Sequence, residues 1–250
     1  MAHQETVRIV DGAKTAVLFM HGICGSPDHF RKLLPLEELV PADWSVYNVL
    51  MDGHGKQVAD FSHSSMQKWK DQVTKIFDDL CAHHEQVILA GHSMGTLFAL
   101  QMACRNPEKV PFLLLIASPM RVFVRPGGAL NLLRFPFERW NAEDPVHQSL
   151  RQASSITASK RIWQYLGWCP RMVELLREIK YTESLLPTLS VPTIACQSLR
   201  DEMVSNRSDA VLEKHGITVI HLPNSTHFYY APEDVAVVKR TFTDAYEPYM

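Results

Sequence analysis

Short apolar runs recur along the chain, each bounded by residues that favour turns, and helical patterns lie between them. The six runs are TAVLFM (15–20), WSVYNVL (44–50), QVILA (86–90), FLLLIA (112–117), PTIACQ (192–197) and VIHLP (219–223). An uninterrupted apolar run suits a strand that is buried on both faces, as in a parallel sheet covered by helices. Strands that alternate with helices therefore predict an α/β fold with a doubly wound, mostly parallel sheet.

The alternation is interrupted between about residues 118 and 187, where helical stretches occur without a convincing strand. We interpret residues from about 119 to 187 as a helical cap inserted into the sheet domain. A chain of 250 residues can form one large α/β domain, and neither an internal repeat nor a low-complexity linker suggests a second. We therefore expect residues 1–250 to form a single domain with a cap insertion.

Charge and cysteine content exclude several classes of protein. The chain has 25 Lys or Arg against 27 Asp or Glu, which disfavours nucleic-acid binding. Its five cysteines are scattered and include no Cys-x-x-Cys pair, so neither a disulfide framework nor a metal site is predicted. The N-terminus lacks the pattern of a signal peptide, and no run is long enough to span a bilayer. We expect a cytoplasmic protein with no stable membrane insertion.

The segment AGHSMGTLFAL (90–100) places Ser93 between two glycines, at the junction of a predicted strand and a predicted helix. G-x-S-x-G in that context is the pattern of a nucleophile elbow, a turn so sharp that the serine adopts strained backbone angles. The small residues Gly91 and Gly95 would let the flanking segments approach each other. The alternative is a tight turn whose serine merely caps the helix. The strand before Ser93 and the helix after it favour the nucleophile.

A serine hydroxyl becomes nucleophilic when a histidine takes its proton, and a carboxylate fixes the tautomer of that histidine. After a serine in a nucleophile elbow, the acid and then the histidine should come later in the chain, each just after a late strand. The segment SLRDEM supplies Asp201 after the run PTIACQ. Glu202 and Asp209 are nearby alternatives. Asp201 is favoured because it comes first after the strand, where the sheet edge can hold it beneath the histidine.

The predicted base is His227, in the segment NSTHFYY after the run VIHLP. Among twelve histidines, His227 alone combines the expected chain order with a loop after a late strand. The alternatives considered are His215 before a turn glycine, His83 and His84 at the end of a helix, and His221 within a strand.

Two backbone amides are predicted to form an oxyanion hole. The N–H of Met94 lies at the start of the helix that follows the serine, where it would stabilise negative charge. The second donor should come from the loop after an early strand, and MHGICGS (20–26) places the N–H of Ile23 there. The neighbouring Cys24 is either a small buried apolar residue or a reactive thiol. The lack of an evident cationic partner favours the apolar role.

Five motifs together resemble the α/β-hydrolase superfamily, and within it the small bacterial carboxylesterases and monoacylglycerol lipases. They are HGICGSP (21–27), DGHG (52–55), GHSMG (91–95), QSLRDEMVS (197–205) and NSTH (224–227). The resemblance implies an α/β-hydrolase fold with a helical cap after the run FLLLIA. It implies a catalytic triad of Ser93, Asp201 and His227 with oxyanion donors at Ile23 and Met94, and no metal or organic cofactor. It gives His54 a structural role.

These expectations describe a serine hydrolase that cleaves small to medium acyl, monoacylglycerol-like or aryl esters through an acyl-enzyme on Ser93. Amidases, thioesterases, acyltransferases and carbon–carbon bond hydrolases share the triad and remain alternatives. A ligand-binding protein that keeps the fold without turnover is an alternative from another class. An intact acid and base argue against it, because a receptor gains nothing from a base aimed at the serine.

The predicted cap is rich in apolar and basic residues. Phe123, Trp140 and Trp163 are among the apolar side chains that could line a substrate pocket or pack the cap onto the body. The cap has ten Lys or Arg against six Asp or Glu, which would suit an anionic substrate or peripheral contact with lipid headgroups. Solvated helix faces explain the same charges more simply. The sequence leaves the oligomeric state open.

Overall fold

A computed structural model describes residues 3–123, 141 and 143–249 of the chain. Within these residues a seven-stranded sheet has the order β1-β3-β2-β4-β5-β6-β7. The strands are β1 (Thr6–Arg8), β2 (Thr15–Met20), β3 (Ser45–Asn48), β4 (Gln86–His92), β5 (Leu113–Ile116), β6 (Thr193–Ser198) and β7 (Thr218–Leu222). The pair β1 and β3 is antiparallel, and all other neighbours are parallel. The predicted fold class is therefore confirmed.

Helices cover both faces of the sheet. The α-helices in the described residues are α1 (Val58–His63), α2 (Met66–His83), α3 (Met94–Arg105), α4 (Pro145–Ala153), α5 (Trp168–Leu185), α6 (Arg207–Lys214) and α7 (Pro232–Tyr246). Short 3-10 helices cover Glu37–Leu39, Ile162–Gly167, Leu186–Thr188 and Glu247–Tyr249, and one π-helical turn covers His29–Leu33.

Alternate residues of the central strands pack into two separate apolar cores. Leu18 of β2 lies with Trp69 of α2 in one core, whereas the next residue, Phe19, lies with Phe242 of α7 in the other. All six residues of β2 are buried, which is what an uninterrupted apolar run requires. The two cores hold the carboxyl ends of the parallel strands in a fixed register, and the loops there carry the predicted site.

The first strand, β1, was not predicted from the sequence. It has only three residues, TVR, with an exposed Val7 at its centre. It pairs with β3 at the edge of the sheet, where one side of a strand needs no apolar cover. Its arginine, Arg8, donates to the carbonyl oxygens of Trp44, Val40 and Pro41. Such an edge strand is held by main-chain pairing and a side-chain anchor rather than by apolar burial.

Helix α5 is the last α-helix of the predicted cap before β6, and it is fixed firmly to the body. Its Glu178 is buried and accepts from Lys70 of α2 and Gln101 of α3, both at 2.7 Å. Thr182, one turn later, also accepts from Gln101 at 2.8 Å. Because α3 follows directly on Ser93, the helix that follows the serine and the helix that leaves the cap region are joined by buried polar contacts.

A short segment at residues 155–157 joins the cap region to two loops of the body. The N–H of Ser155 donates to the carbonyl oxygen of Cys24 at 3.0 Å, and the N–H of Thr157 donates to Lys56 at 2.9 Å. Ile156 between them is buried in the core that contains α2 and α3. The cap region therefore contacts the loop after β2, where the oxyanion donor is predicted.

Candidate active site

Ser93 occupies a strained turn between β4 and α3. Its φ and ψ angles are 50° and −120°, and its N–H donates to the carbonyl oxygen of Ile116 at 2.8 Å. A Cβ atom added at Gly91 would lie 2.7 Å from the backbone of Gly95, and one at Gly95 would lie 2.7 Å from the carbonyl carbon of Met20. Only glycine fits either position, so the G-x-S-x-G pattern has the steric cause that a nucleophile elbow requires.

The structure brings Ser93, His227 and Asp201 together in one hydrogen-bonded row. The distance from Ser93 Oγ to His227 Nε2 is 3.1 Å, and that from His227 Nδ1 to Asp201 Oδ2 is 2.7 Å. The three residues are 7%, 3% and 2% exposed. A serine, an imidazole and a carboxylate in this arrangement can transfer the serine proton to the ring and stabilise the resulting charge.

The loop after β6 determines which carboxylate faces the imidazole. Asp201 Oδ1 accepts from the N–H groups of Met203 and Val204 at 2.8 and 2.7 Å, which leaves Oδ2 directed at His227. The alternative Glu202 also contacts His227, but its Oε2 accepts from the main-chain N–H at 3.0 Å. The sequence analysis did not predict this contact between Glu202 and the main chain of His227.

The other alternative acid, Asp209, forms a separate carboxylate–imidazole pair. Its Oδ2 lies 3.0 Å from Nε2 of His221, and its Oδ1 accepts from Gln197. His221 was set aside as a base because it sits within a strand; it lies in β7, its partner is Asp209, and its side chain is partly exposed. Among the described contacts, no hydrogen bond joins this second pair directly to Ser93, and the connection runs through Gln197, Ser118 and Thr96.

The ionisation of His227 reflects opposing effects. Burial lowers the pKa of His227, but the charge of Asp201, its hydrogen bond and the charge of Glu202 together raise the pKa above the ordinary value of 6.5. A base of this kind is neutral only in neutral to alkaline solution. Its protonated form is stabilised by carboxylates, as is required of a group that accepts a proton during a reaction.

Behind His227 lies a cluster of buried aromatic and imidazole rings that sequence analysis missed. Nε2 of His92 contacts the carbonyl oxygen of His227 at 3.2 Å, and the Tyr230 hydroxyl donates to the same oxygen at 3.3 Å. His29 stacks on His92, with ring centroids 3.6 Å apart. Burial holds the pKa of both His29 and His92 well below 6.5, so both rings are neutral near neutral pH. Only the place of His92 inside GHSMG could have signalled this role.

The loop after β2 lies against the serine. A Cβ atom added at Gly22 would lie 2.9 Å from Cβ of Ser93, and the N–H of Gly25 closes a turn onto the carbonyl oxygen of Gly22 at 3.0 Å. Among the described residues, no acceptor takes the N–H of Ile23 or of Met94. The described hydrogen bonds therefore leave these two amides free to donate to another group.

Cys24 takes a left-handed backbone conformation, with φ of 57°. Loss of hydration raises the pKa of its thiol to about 12. A protonated thiol is a weak nucleophile, which is consistent with the apolar role expected for this residue.

His54 of the DGHG motif is buried and packs against aromatic rings. Its ring centroid is 5.2 Å from Phe61 and 5.1 Å from Trp69, and its Nδ1 contacts the carbonyl oxygen of Asp52 at 3.2 Å. Burial holds its pKa well below 6.5. These contacts agree with the structural role expected for His54.

Within the described residues, the structure does not place the apolar side chains predicted for substrate binding beside Ser93. Phe123 and Trp163 are 62% and 64% exposed, and neither has a described contact with Ser93 or His227. Trp140 lies outside the described residues. By contrast, the half-buried Tyr165 and Trp168 pack against the same core as Ile23 and Cys24.

The fold and this geometry can be compared with known proteins. The sequence model of the Hydrolase_4 family, described as "Serine aminopeptidase, S33", matches residues 11–227, which is most of the chain. The chain belongs to this family of α/β-hydrolases. The resemblance read from the five motifs is thus confirmed at the level of the superfamily.

A curated relative of this α/β-hydrolase is the Pimeloyl-(acyl-carrier protein) methyl ester esterase of Legionella pneumophila (strain Lens). It is 25% identical over 165 residues, which cover 62% of this chain and 66% of the relative, just under two thirds of its length.

Two solved structures share the fold over nearly the whole chain. One, of LipS and LipT, two metagenome-derived lipolytic enzymes, has a TM-score of 0.72 at 19% identity and covers 98% of both chains. The other, a monoacylglycerol lipase of Paleococcus ferrophilus, has a TM-score of 0.67 at 16% identity and also covers 98% of both chains. At such identities the likeness describes the fold alone.

The helices of this α/β-hydrolase are those of a sheet-covering layer. Within the described part of the chain, none combines the length and the apolarity needed to cross a membrane.

Proposed function

We propose that this α/β-hydrolase is a serine carboxylic ester hydrolase that acts through an acyl-enzyme on Ser93. The observation that carries the proposal is the continuous row from Ser93 Oγ through the His227 ring to the Asp201 carboxylate, with distances of 3.1 and 2.7 Å. A protein that only binds a ligand has no need of a buried base aligned on a strained serine.

In the first half of the proposed reaction, Ser93 Oγ attacks the carbonyl carbon of the ester while His227 Nε2 takes the hydroxyl proton. The carbonyl oxygen becomes an oxyanion, and the N–H groups of Ile23 and Met94 stabilise it. When the tetrahedral intermediate collapses, the bond to the alkoxy oxygen breaks and His227 returns its proton to the leaving alcohol. The acyl group remains on Ser93.

In the second half, a water molecule attacks the acyl carbon and gives a proton to His227. The tetrahedral intermediate then releases the carboxylic acid, and His227 returns the proton to Ser93 Oγ. Asp201 keeps Nδ1 of the ring protonated throughout, which leaves Nε2 as the reacting nitrogen. These steps use only the side chains and amides of the chain itself.

The carboxylates in the described part of the cap region favour an ester over the amino-terminal peptide that the family description names. An aminopeptidase needs a free carboxylate near the serine to bind the α-ammonium group of its substrate. In the described part of the cap region the acids are already paired: Glu174 with Arg171, Glu178 with Lys70, Glu183 with Arg121, and Asp144 with the N-terminus of α4. Glu143 is the exception, and it is exposed.

The substrate class is proposed from an apolar surface of the cap region. Tyr165 and Trp168 pack against each other, with ring centroids 5.0 Å apart, and Trp168 also packs against Phe61 of α1 at 5.0 Å. Such a surface suits a small to medium acyl chain or an aryl group. We propose that residues from about 119 to 187 form the cap of a single domain and that its inner face supplies this surface.

The test is hydrolysis of p-nitrophenyl and monoacylglycerol esters with acyl chains from two to sixteen carbons, comparing the wild type with Ser93→Ala. We expect an optimum in the small to medium range and a fall in kcat of about five to six orders of magnitude in the variant. Aminoacyl anilides and acyl thioesters are assayed in parallel. Labelling by a fluorophosphonate probe reports whether Ser93 is reactive even if none of the assayed compounds is a substrate.

Turnover that persists in Ser93→Ala would overturn the mechanism. Labelling of Ser93 without turnover of any ester, together with hydrolysis of the anilides or thioesters, would overturn the substrate class and keep the nucleophile. Absence of both labelling and turnover in a folded wild type would favour a ligand-binding protein.

A further inference from the structure

His227 lies on a loop outside the strands and helices, as Asp201 does. It follows β7 and precedes α7, which begins at Pro232. Ser93, by contrast, is held by β4 and α3, and Asp201 by main-chain amides of its own turn. The direction of the imidazole therefore depends on the groups that hold the main chain of His227.

Both polar groups of that main chain are bound by side chains from elsewhere. Oε2 of Glu202 accepts from the N–H of His227 at 3.0 Å. The carbonyl oxygen of His227 is contacted by Nε2 of His92 at 3.2 Å and by the hydroxyl of Tyr230 at 3.3 Å. Glu202 is the charged member of this set, and it comes from the same turn as Asp201.

Consecutive carboxylates thus act on one histidine from two directions. Asp201 binds the ring, whereas Glu202 binds the main chain 25 residues away along the sequence. Adjacent side chains of an extended segment point to opposite sides. Here the turn formed when Asp201 accepts the N–H groups of Met203 and Val204 brings both carboxylates to His227.

We propose that Glu202 is a positioning residue of the active site, which orients His227 through its main-chain N–H and places a second negative charge near the imidazole. The inference rests on the proposed function, because it concerns the base of that reaction. It adds a residue whose described hydrogen bond is with the main chain of His227.

The electrostatic part of this role is supported by the groups around the ring. Burial lowers the pKa of His227, and the charges of Asp201 and then Glu202 are among the effects that raise it. The titratable groups that face His227 from the elements packed against it are Asp201 and Glu202 after β6, His92 in the elbow, His29 in the π-helical turn and Tyr230 in its own loop. His29 and His92 are neutral near neutral pH, so the two carboxylates dominate the field at the ring.

Two substitutions separate the charge from the hydrogen bond. Glu202→Gln removes the charge and keeps an oxygen that can accept from the N–H of His227. Glu202→Ala removes both. Glu213→Gln is the matched control, because Glu213 is an exposed acid on α6 without a described contact to the site.

The measurement is the rate at which a fluorophosphonate probe labels Ser93 in the full chain between pH 5 and 9, with Ser93→Ala as the blank. This rate depends on neutral His227 and on no particular substrate. In Glu202→Gln we expect the acidic limb to move to lower pH, with a plateau within about twofold of the wild type. In Glu202→Ala we expect the same movement and a plateau lower by about tenfold, the effect of one lost buried hydrogen bond. Glu213→Gln should match the wild type.

The inference would be overturned if both Glu202 variants kept the wild-type plateau and the acidic limb stayed at the same pH. Labelling of the wild type would in that case still support Ser93 as the nucleophile. A plateau that falls equally in Glu202→Gln and Glu202→Ala without movement of the limb would indicate a general loss of structure and would also overturn the inference. Thermal unfolding of each variant identifies that case. If the wild type itself is not labelled, the proposed function has failed first.

Discussion

Nδ1 of His227 lies 2.7 Å from Oδ2 of Asp201, and both side chains are almost fully withdrawn from solvent. The other oxygen of Asp201 is held by two main-chain N–H groups. The carboxylate therefore cannot rotate away from the ring without breaking three hydrogen bonds. This arrangement specifies one tautomer of His227, with the proton on Nδ1 and the free electron pair on Nε2 facing Ser93.

The first prediction concerns that tautomer. Asp201→Asn keeps the shape of the side chain but replaces the acceptor with an amide that can donate to Nδ1, which would place the proton on Nε2. We expect kcat for the best ester to fall by about 10⁴-fold, the size of effect known for this exchange in a serine triad. The check is steady-state kinetics on variants whose folding has been verified by circular dichroism.

A matched control for this exchange exists in the same chain. Asp209→Asn makes the same chemical change in the second carboxylate–imidazole pair, where Asp209 lies 3.0 Å from His221. That pair is linked to Ser93 only indirectly, through Gln197, Ser118 and Thr96, and it has no described contact with the His227 ring. The kcat of Asp209→Asn should therefore stay within about twofold of the wild type. Equal losses in the two variants would assign the effect to stability and contradict the role of Asp201.

The strands and the chemistry at their ends could be predicted to different degrees. The six apolar runs correspond to β2 to β7. In β2, β4 and β5 burial on both faces leaves a direct mark on composition, whereas β7 lies at the other edge of the sheet and is partly exposed. The three-residue β1 left no such mark, since an edge strand is held mainly by its main-chain pairing. Chain order and position after a late strand were sufficient to select Asp201 and His227, the two residues that line up with Ser93.

The support around those side chains could not be predicted. The contacts of His92 and Tyr230 with the carbonyl oxygen of His227 depend on how loops from three strand ends pack together. No periodicity or spacing encodes such contacts. The same holds for Glu202, which the sequence presents only as a neighbour of Asp201.

The second prediction concerns the steric requirement of the elbow. Gly95→Ala would place a Cβ atom 2.7 Å from the carbonyl carbon of Met20, a contact between backbones that cannot relax without separating α3 from β2. We expect the free energy of unfolding to fall by about 3 kcal/mol or more. Urea denaturation followed by tryptophan fluorescence measures it.

Gly216→Ala serves as the comparison for Gly95→Ala. Gly216 has φ of 78° and no atom within 4 Å of the added Cβ, so this variant tests left-handed backbone strain alone. Its expected cost is about 1 kcal/mol. A loss in Gly95→Ala no larger than that in Gly216→Ala would mean that close approach at the elbow contributes little to stability.

The third prediction is the pH dependence of the reaction. The base must be neutral to accept the proton of Ser93, and the pKa of His227 lies above 6.5 because the charges of Asp201 and Glu202 outweigh the effect of burial. Activity should therefore be lost as pH falls through that raised pKa, with half of the plateau value of kcat/KM reached above pH 6.5. A profile measured with one ester at constant ionic strength checks this. Half-maximal activity well below pH 6.5 would contradict the assigned ionisation.

The fourth prediction is a loss of stability in acid that comes from the buried neutral histidines. Burial lowers the pKa of His21 to about 4 and holds the pKa of His54 well below 6.5. The unfolded chain therefore binds protons that the folded chain does not, and stability falls as pH drops below 6.5. For His21 the loss between pH 7.5 and 5 is about 2 kcal/mol, and it stops growing below its folded pKa.

A substitution at His54 tests whether buried histidines cause the loss of stability in acid. The ring of His54 packs against Phe61 and Trp69. His54→Phe keeps an aromatic ring in the apolar site and removes a group that must be charged on unfolding in acid. The variant loses the contact of Nδ1 with the carbonyl oxygen of Asp52, so it should be somewhat less stable at pH 7.5. Its stability should nevertheless fall less than that of the wild type between pH 7.5 and 5, as measured by urea midpoints.

His83→Gln is the control, because it changes an exposed histidine of α2, and its stability should depend on pH as that of the wild type does. A His54→Phe protein whose stability falls as steeply as that of the wild type would show that other groups cause the acid sensitivity.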